Sequence, residues 1–228
     1  MLLAIALFAT ATFLALGVWQ IERRSWKLDL IARVKERVHA PPAPPPAFAP
    51  WTEAEARQQE YRHVALTGTF RHDRETLVQA LTLRGAGFWV LTPLQTANGL
   101  VLVNRGFVPP DKRDPATRKA AQASGQVRVT GLLRLSEPGG GFLRVNDPTA
   151  NRWYSRDVAA IAGARHLPAV APYFVDADAA PNPGGYPVGG LTVVKFYNQH
   201  LSYALTWFTM AILSAAASLL VLTRGRDR

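Results

Sequence analysis

Two apolar segments without a charged residue lie at the two ends of this chain, at residues 2–21 and 201–222. The second has 22 residues. At about 1.5 Å of rise per residue, such a helix is roughly 33 Å long, enough to cross the hydrocarbon core of a bilayer. We therefore predict two transmembrane helices, at 1–22 and 197–223, with the rest of the fold between them.

The first apolar segment has a second interpretation, as a signal peptide cleaved near Ala15-Leu16-Gly17. However, no basic residue precedes the apolar run, and the run is longer than the apolar core of most signal peptides. Both features favour an anchor that is retained.

A proline-rich stretch divides the region between the two spans. Apolar side chains recur at helical spacing over residues 22–39, which predicts that the first helix continues beyond the membrane. Residues 41–46 are almost all proline, so we expect 41–50 to form a stiff polyproline spacer and not packed structure. The predicted organisation is a transmembrane helix at 1–22, a juxtamembrane helix and spacer at 23–50, a β-rich domain at 51–196, a transmembrane helix at 197–223 and a basic cytoplasmic tail at 224–228.

Strand patterns dominate from Tyr61 onward. Apolar and polar residues alternate, and Asn98-Gly99 separates two β-like segments as a two-residue hairpin turn would. Short helices are expected after Asp114 and at 156–162, the second capped by Ser155. The predicted fold class is an α+β membrane protein, in which two transmembrane helices flank a mainly antiparallel β extracytoplasmic domain with short helices.

Two short segments of the β region are similar to each other, Val64-Ala-Leu-Thr-Gly68 and Val127-Arg-Val-Thr-Gly131. They indicate either two related hairpin units in one sheet or a chance similarity.

The basic residues near the two spans give opposite orientations. Those that follow the first span favour a cytoplasmic middle region, whereas those that follow the second favour a middle region outside the cytoplasm. Charge alone therefore leaves the topology open. The two groups are Arg23, Arg24, Lys27, Arg33, Lys35 and Arg37 after the first span, and Arg224, Arg226 and Arg228 after the second.

Composition narrows the classes of partner. The middle region holds all but three of the 26 Lys and Arg residues and all but one of the 16 Asp and Glu residues. Such a basic surface is attracted to anionic membrane lipids. No basic run is interleaved with a stacking motif, so we expect no nucleic acid partner.

The chain has no cysteine, which excludes disulfides, cysteine-based zinc or iron–sulfur sites and the covalent attachment of c-type haem.

Motifs for catalysis are missing from the sequence. There is no G-x-S-x-G, no phosphate-binding glycine loop and no H-E-x-x-H, so we expect that the protein is not an enzyme. Four histidines, His39, His63, His72 and His166, fall in positions typical of solvated side chains.

His200 differs from the other histidines because it stands at the mouth of the second span. A neutral imidazole can ligate haem iron. At helical spacing, Tyr203 and Trp207 lie on its face of the helix, together with Ala204 and Ala211, and would offer a flat apolar surface to a porphyrin. The alternative is an ordinary interfacial belt of aromatic residues, with a histidine that meets lipid headgroups.

Other residues could complete such a haem site. Asn198 and Gln199 could orient the imidazole. Arg23, Arg24 and Lys27 would lie at the same membrane surface and could pair with the propionates.

Several motifs in the same order resemble those of the Surfeit locus family of oxidase assembly proteins. They are Leu16-Gly17-Val-Trp19-Gln20-Ile-Glu-Arg23, Trp26-Lys27, Gly87-Phe-Trp-Val-Leu-Thr-Pro93, Val101-Leu-Val-Asn104-Arg105-Gly106-Phe107-Val-Pro109 and the block from Asn198 to Trp207. They extend over nearly the whole chain. Phe107 stands where the family pattern leads us to expect tryptophan, a departure that keeps an aromatic ring.

The resemblance implies a function in cytochrome c oxidase biogenesis. It implies a multi-pass protein of the bacterial inner membrane, or of the mitochondrial one, whose middle domain faces the periplasm or the intermembrane space. Such a protein would bind haem a transiently through His200 and assist its insertion into the catalytic subunit. Its expected partners are oxidase subunit I, the haem a synthesis machinery and membrane lipids. The alternative is a scaffold that holds oxidase subunits without binding haem.

Overall fold

The computed structural model describes residues 2–49, 51–141 and 143–226 of the chain. It divides into two compact units. One is helical and comprises Met1–Lys35 and Val194–Arg228, and the other is β-rich and comprises Glu36–Val193.

The regular elements follow the predicted order along the chain. The helices are α1 Leu2–His39, α2 Glu53–Gln59, α3 Val158–Ala164 and α4 His200–Arg226. The strands are β1 His63–Phe70, β2 Thr76–Thr82, β3 Gly85–Thr96, β4 Gly99–Val108, β5 Gln126–Leu135, β6 Gly140–Gly141, β7 Arg144–Val145 and β8 Val170–Ala177.

Helices α1 and α4 are both long and apolar enough to cross a membrane, at Leu3–His39 and His200–Thr223. This confirms the prediction of two candidate spans. As predicted, α1 also continues without a break to His39, beyond its apolar part. The predicted basic tail at 224–228 falls at the end of α4 and on residues outside the described part of the chain.

The two long helices pack against each other in opposite chain directions. Trp207 stacks on Phe13 with 5.8 Å between ring centroids, and Ser214 Oγ donates to the carbonyl of Ala6 at 2.9 Å. On α4 the buried residues recur every seven positions, at Ala204, Ala211 and Ser218. Small side chains at such a seam allow close backbone approach, which is how helices associate inside lipid.

The β-rich unit is built on a closed ring of five strands. The hydrogen-bonded order is β1-β5-β8-β4-β3, and β3 pairs again with β1, while β2 extends the sheet beyond β3. Only the pairing of β4 with β8 is parallel among the described strands, so the prediction of a mainly antiparallel β domain is confirmed. The parallel pair is possible because the long connection between β4 and β8, which contains α3, brings the chain back in the same direction.

Two apolar clusters stabilise this barrel. The first lies inside the ring, since all five ring strands contribute buried side chains, among them Val64, Leu94, Val103, Leu133 and Tyr173. The second lies on the outer face, where α3 and Trp153 cover strands β2, β3, β4 and β8. Strand β4 contributes to both, which explains why it is buried from Leu100 to Val108.

Two glycines allow the ring to close. Gly68 pairs with both β3 and β5, and Gly131 pairs with both β1 and β8. A Cβ on Gly68 would lie 2.2 Å from the carbonyl oxygen of Gln95, and one on Gly131 would lie 2.2 Å from that of Asp176. The two similar sequence segments are therefore adjacent antiparallel strands, and each ends on a glycine where strands cross closely.

The proline-rich stretch is packed, so the expectation of a bare spacer is wrong. Ala43 pairs with β1, because its N–H donates to the carbonyl of His63 at 3.0 Å and its carbonyl accepts from the N–H of Ala65 at 2.9 Å. Tyr173 Oη donates to the carbonyl of Pro46 at 3.1 Å, and Phe48 packs against the inner cluster. Proline can join the edge of a strand pair wherever no N–H is required.

The short helices differ from prediction in detail. Asp114 caps a 3₁₀ helix, Pro115–Ala121, as predicted. Helix α3 is capped by Asp157, whose carboxylate accepts from the N–H of Ala160, and not by Ser155. The Ser155 hydroxyl instead donates to the carbonyl of Glu137 at 2.7 Å.

Candidate functional site

His200 is the first residue of α4, and a residue of the other long helix holds its ring. The ring Nδ1 lies 2.7 Å from Oε1 of Gln20, which is only 9 % exposed. With a carbonyl oxygen as acceptor, Nδ1 carries the hydrogen, and in the neutral ring the lone pair is then on Nε2. Among the described residues, no hydrogen bond is recorded for Nε2. The imidazole is therefore fixed in the tautomer that can ligate a metal through Nε2.

The orienting partner differs from the one expected. Asn198 and Gln199 were expected to orient the imidazole, whereas the hydrogen-bond partner of its Nδ1 is Gln20. Asn198 has another feature of interest, because its side-chain Oδ1 is buried without a hydrogen-bond partner in the described part of the chain. Such an acceptor is costly to leave unpaired, and it lies two residues before His200.

The residues predicted to form one surface below His200 do not share one environment, because some of them pack against α1 and one is exposed. Ala204 and Ala211 are buried in the seam, and Trp207 stacks on Phe13 of α1. Tyr203 is 53 % exposed. Trp207 and the alanines thus fix α4 against α1, while Tyr203 remains accessible. Contact of Tyr203 and Trp207 with a cofactor stays a prediction.

The predicted basic residues lie on α1, between three and seven positions after Gln20. The Arg23 guanidinium lies 4.6 Å from the centroid of the Trp26 ring, and Lys27 Nζ lies 5.6 Å from that of Phe196. Arg24 is half-buried. Because a helix rises about 1.5 Å per residue, these charges lie roughly 5 to 10 Å beyond Gln20 along the helix axis. They give this end of the helix pair positive charge, and their pairing with propionates stays a prediction.

Gln20 is the functional candidate that sequence reasoning did not single out. Its signal was present, since it is the only side-chain amide in residues 2–21. A hydrogen-bonding side chain inside a membrane span usually has a partner and a function. The identity of that partner required the fold, because the two residues are 180 positions apart.

The described part of the chain offers no cluster for a bare metal ion. In residues 2–49, 51–141 and 143–226 no group of three or more His, Asp or Glu side chains lies close enough to hold one. A single imidazole fits a metal whose remaining ligands come from elsewhere, as they do in haem.

Two of the four histidines expected to be solvated are not. His63 Nδ1 lies 2.8 Å from the carbonyl of Ala40 and its Nε2 lies 2.8 Å from Oδ2 of Asp178. Burial by itself lowers the pKa of His63, but these two acceptors outweigh it and the pKa is raised. His72 is half-buried beside Phe70 and donates through Nε2 to the carbonyl of Ala123, and burial lowers its pKa.

The barrel also contains a buried carboxylate that the sequence did not reveal. Asp176 is 4 % exposed and accepts from Asn104 Nδ2 at 2.7 Å, from Thr192 Oγ1 at 3.0 Å and from the guanidinium groups of Arg156 and Arg134 at 3.1 and 3.3 Å. Its partners come from β4, β5 and two loops. Asp176 is fully paired, so we assign it a structural task.

The sequence of this chain is similar to those of proteins from one family. A sequence model of the SURF1 family matches residues 7–212. Surfeit locus protein 1 of Mus musculus is 38 % identical over 219 residues, which cover 89 % of this chain and 69 % of the mouse protein. The Homo sapiens protein of that name is 37 % identical over 95 % of this chain and 75 % of its own length. A SURF1-like protein of Monosiga brevicollis is 37 % identical over 93 % of this chain and 84 % of its own length.

Proposed function

The chain belongs to the SURF1 family, and from that premise we propose that it is a membrane-anchored assembly factor for cytochrome c oxidase that binds haem a as cargo through His200. In this proposal the protein assists insertion of haem a into subunit I after receiving it from the haem a synthesis machinery. It acts by binding and release, without a catalytic step of its own.

The contact between His200 and Gln20 is the observation that carries the proposal. A haem ligand needs a deprotonated nitrogen whose direction is fixed, and an acceptor on the opposite ring nitrogen supplies both. Gln20 does this from a second helix, at 2.7 Å. His200 therefore binds through Nε2 without a change of tautomer.

The neighbouring residues fit a porphyrin with propionates. Tyr203 presents an accessible aromatic ring one helical turn from His200. Arg23, Arg24 and Lys27 supply positive charge on the polar side of Gln20, where carboxylates would remain close to water. The buried Oδ1 of Asn198 is an acceptor for a donor on the cargo, such as the hydroxyl group of haem a.

The proposed location is the inner membrane of a bacterium, with both long helices embedded in lipid and the barrel in the periplasm. Membrane lipids are then constant partners of the apolar surfaces of α1 and α4. His200, at the start of α4, would lie at the lipid boundary and could be reached from the periplasm.

The visible spectrum of the purified protein tests the haem proposal. We expect protein from cells that make haem a to show a Soret band, and His200→Ala to lose it. His166→Ala, which alters an exposed histidine of the barrel unit, is the matched control and should keep the band. A wild-type protein without a Soret band, or a His200→Ala variant with the same haem stoichiometry, would contradict the proposal. Association with oxidase subunits without haem would then favour the scaffold.

A further inference from the structure

A cavity of about 270 Å³ opens at one end of the barrel interior. It lies where β1 and β8 finish and β5 begins. Its inner wall is apolar and consists of Phe70, Val103, Val127 and Val129. The mouths of small β-barrels are common places for ligand sites, which combine apolar walls with a few polar groups that fix the ligand.

Of the charged side chains that line this cavity, Arg105 is buried, whereas Arg128 is exposed and Asp178 is partly exposed. Arg105 follows Val101 and Val103 on the inward face of β4 and is only 5 % exposed. Its Nη2 donates to the carbonyl of Ala121, and its guanidinium lies 5.0 Å from the centroid of the Phe70 ring. Its Nη1 is buried and has no hydrogen-bond partner among the described residues.

No carboxylate in the described part of the chain forms an ion pair with Arg105. The carboxylate of Glu75 interacts electrostatically with Arg105. However, both oxygens of Glu75 accept hydrogen bonds from Arg118, at 2.7 and 3.2 Å. Asp178 also lines the cavity, and its Oδ2 is engaged by His63 at 2.8 Å. Burial lowers the pKa of Arg105. The negative charge of Glu75 partly opposes this effect, and the positive charge of Arg118 adds to it.

A buried cation with a free donor is costly for a protein unless something pairs with it. A single negative charge would balance Arg105, since the other lining cation, Arg128, is exposed to solvent. One free nitrogen can bind one anionic oxygen, and the apolar wall beside it suits a hydrocarbon chain.

We propose that the open end of the barrel is a binding site for a monocarboxylate with a short apolar chain. Its carboxylate oxygen accepts from Arg105 Nη1, and its chain lies against Phe70, Val103, Val127 and Val129. This site lies wholly within the β-rich unit, so it is separate from His200 and does not depend on haem binding.

Calorimetric titration of the full chain in zwitterionic nanodiscs with sodium hexanoate tests the proposal. Empty nanodiscs correct for partition into lipid. We expect one saturable site per chain for hexanoate, with 1-hexanol and inorganic phosphate each at least about tenfold weaker, because each lacks one of the two features recognised. Arg105→Met, which keeps the size of the side chain but not its charge, should weaken hexanoate binding by at least about tenfold.

Two further variants separate binding from folding. Ala180→Trp places a large ring at an exposed position that lines the cavity, so it should block hexanoate while leaving Arg105 and the core intact. Arg71→Met removes an exposed positive charge that is next to Phe70 in sequence but does not line the cavity, and it should bind hexanoate as the wild type does. Absence of saturable hexanoate binding would overturn the proposal. Equal binding of hexanoate by wild type and Ala180→Trp would also overturn it. So would a loss of hexanoate binding with Arg71→Met as large as that with Arg105→Met.

Discussion

The imidazole Nδ1 of His200, at the start of one candidate span, lies 2.7 Å from Oε1 of Gln20 on the other. This bond joins residues from opposite ends of the chain and fixes the ring of the proposed haem ligand. Orientation of the ligand therefore depends on the packing of α1 against α4 and on the amide of one side chain.

Gln20→Leu should weaken haem binding by about 10- to 100-fold, the usual effect of removing a residue that orients a metal-bound histidine. The substitution has a similar volume but offers no acceptor to Nδ1. Gln20→Glu keeps the acceptor and should retain haem. Titration of the purified variants with haem, followed by the Soret absorbance, measures the difference.

Gln199→Leu is the control for the Gln20 variants, because Gln199 is next to His200 in sequence and its side chain makes no recorded bond to the ring. It should bind haem like the wild type. Equal affinities for Gln20→Leu and wild type would show that the ring does not need this partner.

Gly17→Val should disturb the same site from one helical turn away. A Cβ on Gly17 would lie 2.5 Å from Cε1 of Phe208, so a branched side chain forces the two helices apart and moves Gln20 from His200. We expect at least about a tenfold loss of haem affinity. Adding Phe208→Ala to Gly17→Val should restore much of the binding, because it removes the colliding ring. Failure of the double variant to recover any affinity would exclude this steric explanation.

Gly68→Ala should destabilise the barrel by about 1 to 3 kcal/mol, since a Cβ there collides with the backbone of β3 and not with a side chain that can move. Gly163→Ala is the opposite case. Gly163 lies in α3 with open space around it, and alanine should stabilise the protein by up to about 1 kcal/mol. Chemical denaturation followed by far-UV circular dichroism compares them. Similar effects of the two substitutions would contradict the close strand crossing at Gly68.

His63 should make the stability of the barrel depend on pH. Its pKa is raised in the folded protein, because hydrogen bonds to Asp178 and Ala40 outweigh the effect of burial. The contribution of the protonated ring is complete below the unfolded pKa of about 6.5 and is lost as the pH rises through the higher folded pKa. We therefore expect the melting temperature to fall as the pH rises from about 6.5 through the higher pKa of the folded protein.

His63→Gln should show a smaller fall over that range, while the exposed His166→Gln should behave as the wild type does. His72, whose pKa is lowered, affects stability on the acid side of the same range and does not mask the result. A pH dependence that is identical in wild type and His63→Gln would refute the assignment.

Fusions of alkaline phosphatase, which is active only outside the cytoplasm, test the proposed orientation. A fusion joined after Val193, which retains the whole β-rich unit, should be active in bacterial cells, and a fusion to the C-terminus should be inactive. The reverse pattern would place His200 on the cytoplasmic side and remove the proposed periplasmic location.

Much of the architecture was accessible from the sequence because its signals are local. The length of an uncharged run predicts a span, and Asn98-Gly99 predicts a hairpin between β3 and β4, since both depend on neighbouring residues only. The two-residue turn itself lies one position earlier than predicted, at Ala97-Asn98, because Gly99 is already paired with Thr96. The expectation for residues 41–50 failed for a related reason. Polyproline favours an extended conformation, which was correct locally, but an extended segment can also pair with a strand edge, and the edge belongs to β1.

The sequence by itself determined the two spans, the alternating strands and the place of His200 at the start of a helix, because these follow from periodicity and charge along a short stretch of chain. Only the tertiary structure decided that Gln20 orients His200, that Gly68 and Gly131 close the barrel, and that a buried nitrogen of Arg105 has no partner among the described residues. Each of these depends on which distant groups meet in space, and a side chain's partners are set by the packing of the whole chain.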